Sequence, residues 1–265
     1  LKYMSVIHLV WRNLMSRKSM FCKEYFWQIL VTIGGLFVIF VTLLIGAFLV
    51  YKGSDTFFKF HHTLQEFLGS ANFAPMDNAS SKGHVGALIF IVGSLCVCGL
   101  ALLIATPFAL GSSVFMTEIS PKFGEKFYRP MVEIFAGIPS VVYGWVGLTV
   151  LIPFLKKVFD LQVGHSILAA SLVLSIMIFP SITSVASDAI RAVSKETRMA
   201  AYGLGSTRWQ TIYRVVIPAA LPGIISGIVL GLARAFGEAL AVAMVIGQTT
   251  ALPKSIFSTS KNTNN

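Results

Sequence analysis

Five long apolar runs dominate this chain, and polar or basic segments separate them. The runs are 27–50, 85–116, 130–155, 166–187 and 217–247. Each run reaches the length of roughly 20 residues that a helix needs to cross the hydrocarbon core of a bilayer. The pattern therefore predicts an all-α membrane protein with five transmembrane helices. Composition agrees, because only 12% of the residues are charged, about half the usual fraction in a soluble domain.

Lysine and arginine are distributed unequally between the segments that flank these runs. Alternate segments, beginning with the N-terminal one, carry thirteen of them, and the intervening segments carry five. Basic residues accumulate on the cytoplasmic side of a membrane. We therefore expect a cytoplasmic N-terminus over 1–26, a first span over 27–50 and a periplasmic loop over 51–84. The formal charge of +10 follows the same distribution and does not indicate nucleic-acid binding.

No motif in the sequence predicts a metal, a cofactor or a catalytic residue. His61, His62 and His84 fall in the long outer loop, where solvated histidines are the simpler interpretation than a metal site. Cys96 and Cys98 lie in an apolar run and have no histidine beside them, so a metal site there is also disfavoured. The sequence has no glycine-rich phosphate loop ending in Gly-Lys-Ser/Thr, no His-Glu-x-x-His and no Gly-x-Ser-x-Gly.

Two opposite charges, Arg234 and Glu238, interrupt the fifth run. Each charge costs about 2.5–3.5 kcal/mol near the centre of a membrane helix. Membrane insertion of the twelve Leu, Ile, Val and Phe residues between Leu221 and Ile246 is favourable by roughly 4–7 kcal/mol in total. The cost of inserting the two charges and the gain from the apolar residues nearly cancel. The charges must therefore be paired or face protein or water. Their i, i+4 spacing allows pairing. Two readings stay open: an internal ion pair that holds spans together, or a face that lines an anion pathway.

The third run contains a predicted break at Ile138-Pro139-Ser140. Proline interrupts helical hydrogen bonding, and the carbonyls that it frees must face protein or a water-filled cavity. Pro139 and Ser140 could therefore shape a pathway, although a packing kink explains them equally well. Near the start of this run, Arg129 and Glu133 are spaced for an i, i+4 ion pair.

The segment between the fourth and fifth runs predicts two short helices. Ser194 is placed to cap the first helix, and Gly205 is placed to end it in a left-handed conformation. The spacing predicts one apolar face formed by Trp209, Ile212 and Val216. Such a basic, amphipathic segment suits either an interfacial helix or a docking surface for a cytoplasmic partner.

This segment resembles the cytoplasmic EAA loop of ABC-importer permeases, which reads Glu-Ala-Ala, three residues, Gly, nine residues and Ile-x-Leu-Pro. Ala200, Ala201, Gly205 and Pro218 match that spacing. The departure is Met199, which stands where the family has glutamate. The resemblance implies that these five residues belong to the surface that contacts an ATPase.

Three further stretches are similar to phosphate-specific permeases of the PstC type. They are "EIFAGIPSVVYGWVGLTVLIPFL" from Glu133, "GALIFIVGSL" from Gly86 and "RAFGEALAV" from Arg234. With the EAA-type segment, the resemblance covers about 65–246. It implies the type I ABC-importer permease fold, with a permease core over 85–250 and a coupling segment over 188–218. That family has six spans, and this sequence ends in a polar tail over 251–265 instead of the sixth, so we expect either a truncated or frameshifted copy or a chain that lacks the final helix.

The resemblance also implies a function and partners. The chain would be a multi-pass subunit of the bacterial cytoplasmic membrane that imports inorganic phosphate, with Arg234, Glu238, Pro139 and Ser140 along the substrate pathway. Its partners would be a PstA-type second permease, a PstB-type ABC ATPase dimer that uses the ATP, and a periplasmic PstS-type phosphate-binding protein. This chain would bind no cofactor and would be no enzyme. A permease for sulfate or molybdate, or a secondary transporter outside the ABC class, is the competing interpretation.

Overall fold

Helices account for nearly all of the described chain. The computed structural model describes residues 2–59, 62–74, 83–160 and 164–247, with side chains from Tyr25 onward. The chain divides into two compact units, Leu1–Leu64 and Gln65–Asn265. Among the described residues, five helices are long and apolar enough to cross a membrane, which confirms the predicted number. They are Tyr25–Phe58, Leu88–Ile119, Ser140–Val158, Ile167–Ala192 and Arg208–Gly237.

The first unit is essentially one helix, α1 (Lys2–Phe58), of 57 residues. At a rise of 1.5 Å per residue it is about 85 Å long, nearly three times the thickness of a hydrocarbon core. The predicted span over 27–50 therefore lies inside a longer helix. No proline interrupts α1, so the polar residues before and after the apolar run continue the same helix.

The predicted loop over 51–84 contains short elements after the end of α1. Helix α2 (Leu64–Gly69) comes first. Strand β1 (Phe73–Ala74) then pairs antiparallel with β2 (His84–Val85), with Phe73 opposite Val85. Gly86 follows this ladder, and a Cβ atom there would lie 2.2 Å from the Ser70 carbonyl oxygen, so only glycine fits.

The second unit is a helical bundle whose longer helices are extended by π-helical turns. Its helices in chain order are α3 (Leu88–Val114), α4 (Pro121–Phe123), α5 (Arg129–Gly137), α6 (Ser140–Val146), α7 (Ile152–Val158), α8 (Ile167–Ala192), α9 (Lys195–Gly203), α10 (Arg208–Thr211), α11 (Ile217–Gly237) and α12 (Ala239–Ile246). The π-helical turns are Phe115–Ile119, Gly124–Tyr128, Gly147–Leu151 and Ile212–Val216. Pro107 and Pro180 lie inside α3 and α8 without ending either helix.

Helix α8 is the centre of this bundle. Two thirds of its span is buried inside the protein, against less than a third of every other span. Small and branched side chains of α3 pack against it and form one continuous core. Members of this core are Val97, Ala101, Ala105, Leu174, Ile178 and Ile182. Two hydroxyls reinforce the contact across the helices: Ser113 donates to the Thr183 carbonyl at 3.0 Å, and Ser171 donates to the Val97 carbonyl at 3.2 Å.

Helix α11 packs on α8 through a stripe of three glycines, Gly223, Gly227 and Gly231. A Cβ atom on Gly223 would lie 2.5 Å from Ala189 Cβ, and one on Gly231 would lie 2.6 Å from Ile182 Cγ1. Small residues at every fourth position let helix backbones approach closely inside a membrane. The backbones of α8 and α11 are therefore held together at a distance that no larger residue permits.

Candidate functional site

Arg234 extends from the last turn of α11 toward the middle of α8. Its Nη1 donates to Ser181 Oγ at 2.8 Å, and its Nη2 donates to the Ala136 carbonyl at 3.5 Å. Ser181 lies fourteen residues after the first residue of α8 and eleven before the last. The half-buried guanidinium therefore joins three helices at about the midpoint of the central span.

The predicted i, i+4 pair of Arg234 with Glu238 is not formed. Helix α11 ends at Gly237, and Glu238 adopts φ −87° and ψ 82° between α11 and α12. Pairing at i, i+4 requires a continuous helix, and this break removes that geometry. Among the described residues no carboxylate lies within ion-pair distance of Arg234. Ser181 and a main-chain carbonyl, both neutral groups, orient the cation instead.

The predicted break at Ile138-Pro139-Ser140 is present and lies beside Arg234. Ile138 and Pro139 are extended, with ψ 130° and 138°, between α5 and α6. The third span accordingly begins at Ser140, ten residues later than the apolar run indicated. The backbone carbonyls that the break leaves without helical partners accept hydrogen bonds from side chains of the protein. Tyr143 Oη donates to the Phe135 carbonyl at 2.8 Å. Arg234 donates to the next carbonyl in the chain, that of Ala136.

Helices α6 and α12 follow the two breaks and lie against each other. A Cβ atom on Gly144 would lie 3.1 Å from the Ala241 Cα, and one on Gly147 would lie 2.9 Å from Val245 Cγ2. The tight contact places the break at Pro139 and the break at Glu238 at the same end of this helix pair. Two interrupted helices, a cation and a serine hydroxyl thus meet in one part of the bundle, which we call the Arg234 site (Ala136, Tyr143, Ser181, Arg234 and Glu238).

The predicted pathway residues Pro139 and Ser140 lie next to this site in the chain. Pro139 is exposed and Ser140 is half-buried, and Ser140 begins the helix whose Tyr143 contacts α5. The predicted pair of Arg129 and Glu133 is confirmed, with Nε and Oε1 3.0 Å apart at the protein surface. Its exposure and its position at the start of α5 make it an ordinary surface pair.

The segment predicted to couple to the ATPase, 188–218 (the coupling segment), contains α9, the first of the two predicted short helices. The second is not separate, because α10 continues through the π-helical turn Ile212–Val216 into α11 and the fifth span runs over Arg208–Gly237. The Ser194 hydroxyl accepts from the Thr197 amide and caps α9, as predicted. Gly205 has φ +79°, and its amide donates to the Tyr202 carbonyl, while the Ser206 amide donates to the Ala201 carbonyl. These two bonds form a Schellman motif, which requires a left-handed residue and so favours glycine.

Glu196 lies in the first turn of α9 and is fully exposed. Hydrogen bonds from its own backbone amide and from the Ser194 hydroxyl lower the pKa of its carboxyl group. The carboxylate thus adds to the cap at a helix end where the backbone amides favour negative charge.

The residues matched to the EAA motif are mostly accessible. Met199 is 68% exposed, and Ala200, Gly205 and Pro218 are also exposed, whereas Ala201 is buried beneath them. Leu204, which is 89% exposed, was not among the predicted site residues. An apolar residue between two glycines is the only signal that could have indicated it.

The predicted apolar face of Trp209, Ile212 and Val216 is wrong in one member. Ile212 and Val216 are buried, but Trp209 is 65% exposed. Thr211 and Ile212 are both buried, and Trp209 in α10 lies about 110° around the helix from their midpoint, so it falls outside the buried face.

Several contacts of the coupling segment lay outside the sequence-based prediction. Thr207 and Gln210 form a reciprocal capping box at the start of α10, for which the spacing Thr-x-x-Gln was an available signal. Arg198 pairs with Glu118 at 2.7 Å. No local pattern reveals that pair, because eighty residues separate its members.

Most of the residues considered for metal binding lie in the described part of the chain. His84 Nδ1 lies 3.6 Å from Glu66 Oε1, and His61 falls outside the described residues. Cys98 is buried and Cys96 is exposed. In the part of the chain that the structure describes, no three His, Cys, Asp or Glu side chains are grouped as a metal would require.

Comparison with known proteins gives the family. Residues 109–264 match the binding-protein-dependent transport system inner membrane component family. The chain is 46% identical over 248 residues to the probable ABC transporter permease protein YqgH of Bacillus subtilis, which covers 94% of this chain and 79% of that protein. It is 37% identical over 246 residues to the phosphate transport system permease protein PstC of Pasteurella multocida, covering 84% of this chain and 74% of that protein.

A second PstC protein, from Haemophilus influenzae, is 30% identical over 244 residues, covering 85% of this chain and 76% of that protein. The residues that match the family model, 109–264, include the Arg234 site and the coupling segment. The predicted type I importer permease fold, with its apolar helices and its multi-pass insertion in the inner membrane, agrees with them. The chain belongs to the family of binding-protein-dependent transport system inner membrane components, the permease subunits of ABC transporters.

Proposed function

We propose that this chain is the transmembrane permease subunit of an ATP-driven importer that moves inorganic phosphate across the cytoplasmic membrane. The observation that carries the proposal is the guanidinium of Arg234 at the midpoint of α8, which no carboxylate of the described residues neutralises. An unpaired cation inside a membrane is costly, and such residues mark ion and substrate pathways. The names of the PstC relatives support phosphate as the anion.

The hydrogen bonding of Arg234 suits reversible contact with an oxyanion. A guanidinium has five N–H donors, and described residues engage two of them. The remaining donors form part of a planar fork whose geometry matches phosphate oxygens. Ser181 and Ala136 are neutral, so they orient the fork without competing for its charge. In this proposal the half-buried Glu238 limits how strongly an anion is retained, because transport requires weak binding.

The coupling segment supplies the proposed ATPase contact. Large apolar side chains are exposed along it, including Met199, Leu204, Trp209 and Tyr213. Exposed apolar groups of this kind mark interaction surfaces. The sequence lacks a phosphate-binding loop, so ATP hydrolysis belongs to a partner in this proposal. The proposed complex contains a PstA-type permease, a PstB-type ATPase dimer and a PstS-type binding protein.

The same proposal orients the chain in the membrane. The N-terminus and the coupling segment lie in the cytoplasm, as the excess of lysine and arginine in alternate segments favours. The segment 117–129 lies on that side too, because it contacts the coupling segment through Glu118 and Glu125. Cysteine labelling from each side of sealed vesicles, at Ser206 and at Ser70, tests this orientation.

Uptake by the reconstituted importer tests the function. We expect R234Q to abolish uptake of radiolabelled phosphate while the ATPase still copurifies with the chain. R234K keeps the positive charge but lacks the planar arrangement of N–H donors of a guanidinium, and we expect it to retain partial uptake. Competition by excess sulfate or molybdate separates phosphate from other oxyanions. Wild-type uptake by R234Q would contradict the pathway role, and failure of the full chain to recover an ABC ATPase would contradict the importer itself.

A further inference from the structure

Arg198 of the coupling segment forms the least exposed ion pair among the described residues. Its Nη2 and Nε donate to Glu118 Oε1 at 2.7 Å and 3.2 Å. The side chains of Arg198 and Glu118 are 19% and 12% exposed. Glu118 lies in the π-helical turn that ends the second span, so the pair joins α9 to α3.

The same guanidinium also covers the carbonyl end of α8. Arg198 Nη2 donates to the Ile190 carbonyl at 2.8 Å, and Nη1 donates to the Val193 carbonyl. The last carbonyls of a helix have no partner within it and carry partial negative charge, which a cation satisfies. Arg198 therefore bridges the ends of two transmembrane helices.

Arg208 makes a second connection to the end of the α3 span. Its Nη2 donates to the Glu118 carbonyl and to the Ile119 carbonyl, the latter at 3.0 Å. The two arginines come from α9 and α10, one before and one after Gly205. Both helices are thus attached to the same turn, Phe115–Ile119.

Two other ion pairs join the same parts of the chain but are open to solvent. Arg191 lies 2.9 Å from Glu125, whose side chain is 66% exposed, and Arg129 lies 3.7 Å from Asp188, whose side chain is 57% exposed. Exposed pairs contribute little because water and salt screen them. Breaking a shielded pair costs much more, since it leaves one charge poorly solvated. The connection between α3 and α9 therefore depends mainly on Glu118.

The backbone next to this pair is not helical. Val193 and Ser194 are extended, with ψ 128° and 151°, so α8 and α9 meet at a non-helical joint. Movement of α9 would be absorbed at that joint unless something spans it. Arg198 spans it, because its guanidinium contacts α8 before the joint while its backbone belongs to α9.

We propose that Glu118 and Arg198 form a clamp that transmits movement of the coupling segment to the second transmembrane span. The inference rests on the proposed function, in which the ATPase contacts 188–218. With the clamp closed, displacement of α9 moves α3 and α8 directly. With it open, Arg198 still connects α9 to α8 and the ATPase still binds the exposed surface, but movement of α9 is no longer transmitted through Glu118 to α3. Arg198 and Glu118 are positioning residues for transport and do not contact phosphate.

E118Q and E125Q provide a matched test in the reconstituted importer. Each variant removes one carboxylate from the segment 117–129. In E118Q the Arg198 guanidinium can still donate to the carbonyls at the end of α8. We expect E118Q to recover the ATPase with unchanged basal hydrolysis but to lose about tenfold in binding-protein-stimulated hydrolysis and in uptake, as the loss of a shielded charge partner implies. E125Q should stay within about twofold of wild type, as expected for an exposed pair.

A covalent bridge provides the second test. In a background with Cys22, Cys96 and Cys98 changed to alanine, E118C with R198C should show the same loss of stimulation. A bifunctional thiol reagent that links the two cysteines should restore it. Both samples have the same sequence, so a folding defect cannot explain the difference.

The outcomes separate the two proposals. Equal behaviour of E118Q and E125Q, or a bridge that fails to restore stimulation, overturns the clamp and leaves the proposed function standing. A wild-type chain that recovers no ATPase overturns the proposed function and the clamp with it. A simple structural role would lower recovery and basal hydrolysis together, which the clamp does not predict.

Discussion

Ser181 Oγ accepts a hydrogen bond of 2.8 Å from Arg234, and this contact fixes the cation against the centre of α8. A hydrogen bond to a charged group contributes about 1.5–3 kcal/mol. The relationship changes the interpretation of the two charges in the fifth span, because a serine holds the arginine where a glutamate was expected. The consequences for Ser181, Glu238 and the surrounding helices can be measured.

The S181A variant should lower phosphate uptake about tenfold without loss of assembly, because the guanidinium loses its best-aligned neutral partner. S226A is the control, since Ser226 is exposed and its hydroxyl donates to the Pro222 carbonyl of its own helix. Uptake at a series of phosphate concentrations measures the effect. Equal uptake by S181A and S226A would show that Ser181 does not orient Arg234.

E238Q should impair uptake less than R234Q does. Among the described residues Glu238 has no ion pair with Arg234, so its neutralisation leaves the guanidinium in place. An ion-pair mechanism predicts instead that the two variants fail equally. Parallel initial rates of uptake, normalised to the amount of assembled complex, distinguish the two.

G231A should destabilise the bundle by about 1–3 kcal/mol, the usual cost of overpacking a tight interface. The added methyl group would lie 2.6 Å from Ile182 Cγ1. G111A is the matched control, because a Cβ atom there meets nothing within 4 Å and alanine favours helix. Thermal unfolding in detergent should show a lower Tm for G231A and an equal or higher one for G111A. The reverse order would contradict the close α8–α11 packing.

G205A should weaken ATPase recovery, because alanine at φ +79° costs about 1–2 kcal/mol in left-handed backbone. The strain would displace the turn that presents Leu204. G203A is the control, since Gly203 ends α9 without a positive φ and has open space around it. The yield of copurified ATPase measures the difference, and identical yields would remove the turn from the contact surface.

The start of α9 should lose protection from hydrogen exchange in acid. Hydrogen bonds lower the pKa of Glu196 below its ordinary value of 4.5, so the carboxylate stabilises the folded helix above that value. The stabilisation declines as pH falls through the lowered pKa of the folded state. Exchange of the α9 amides, corrected for intrinsic rates, should show this decline in the wild type and not in E196Q. Identical pH profiles would contradict it.

Much of the membrane architecture could be predicted from the sequence, because an apolar run of sufficient length has few alternatives to a spanning helix. Local signals worked as well: Ser194 and Gly205 occupy the predicted ends of α9, and Arg129 pairs with Glu133. Each of these depends on residues within a few positions of one another.

Predictions failed where they assumed an uninterrupted α-helix. The pair of Arg234 and Glu238 required one helix through residue 238, but α11 ends at Gly237. Ser181 and Glu118 could not be found at all, since their partners are 53 and 80 residues away. Only packing in three dimensions brings such residues together.

The glycine stripe has a mechanical meaning for the two helices it joins. Gly223, Gly227 and Gly231 recur every four residues, so a slide of α11 along α8 by one glycine step would cover about 6 Å. Any shorter slide would press a larger side chain against Ile182 or Ala189. The interface therefore permits only registers that differ by a whole glycine step. Helices α8 and α11 must travel together, and relative motion within the bundle is left to non-helical residues such as Pro139, Val193, Ser194 and Glu238.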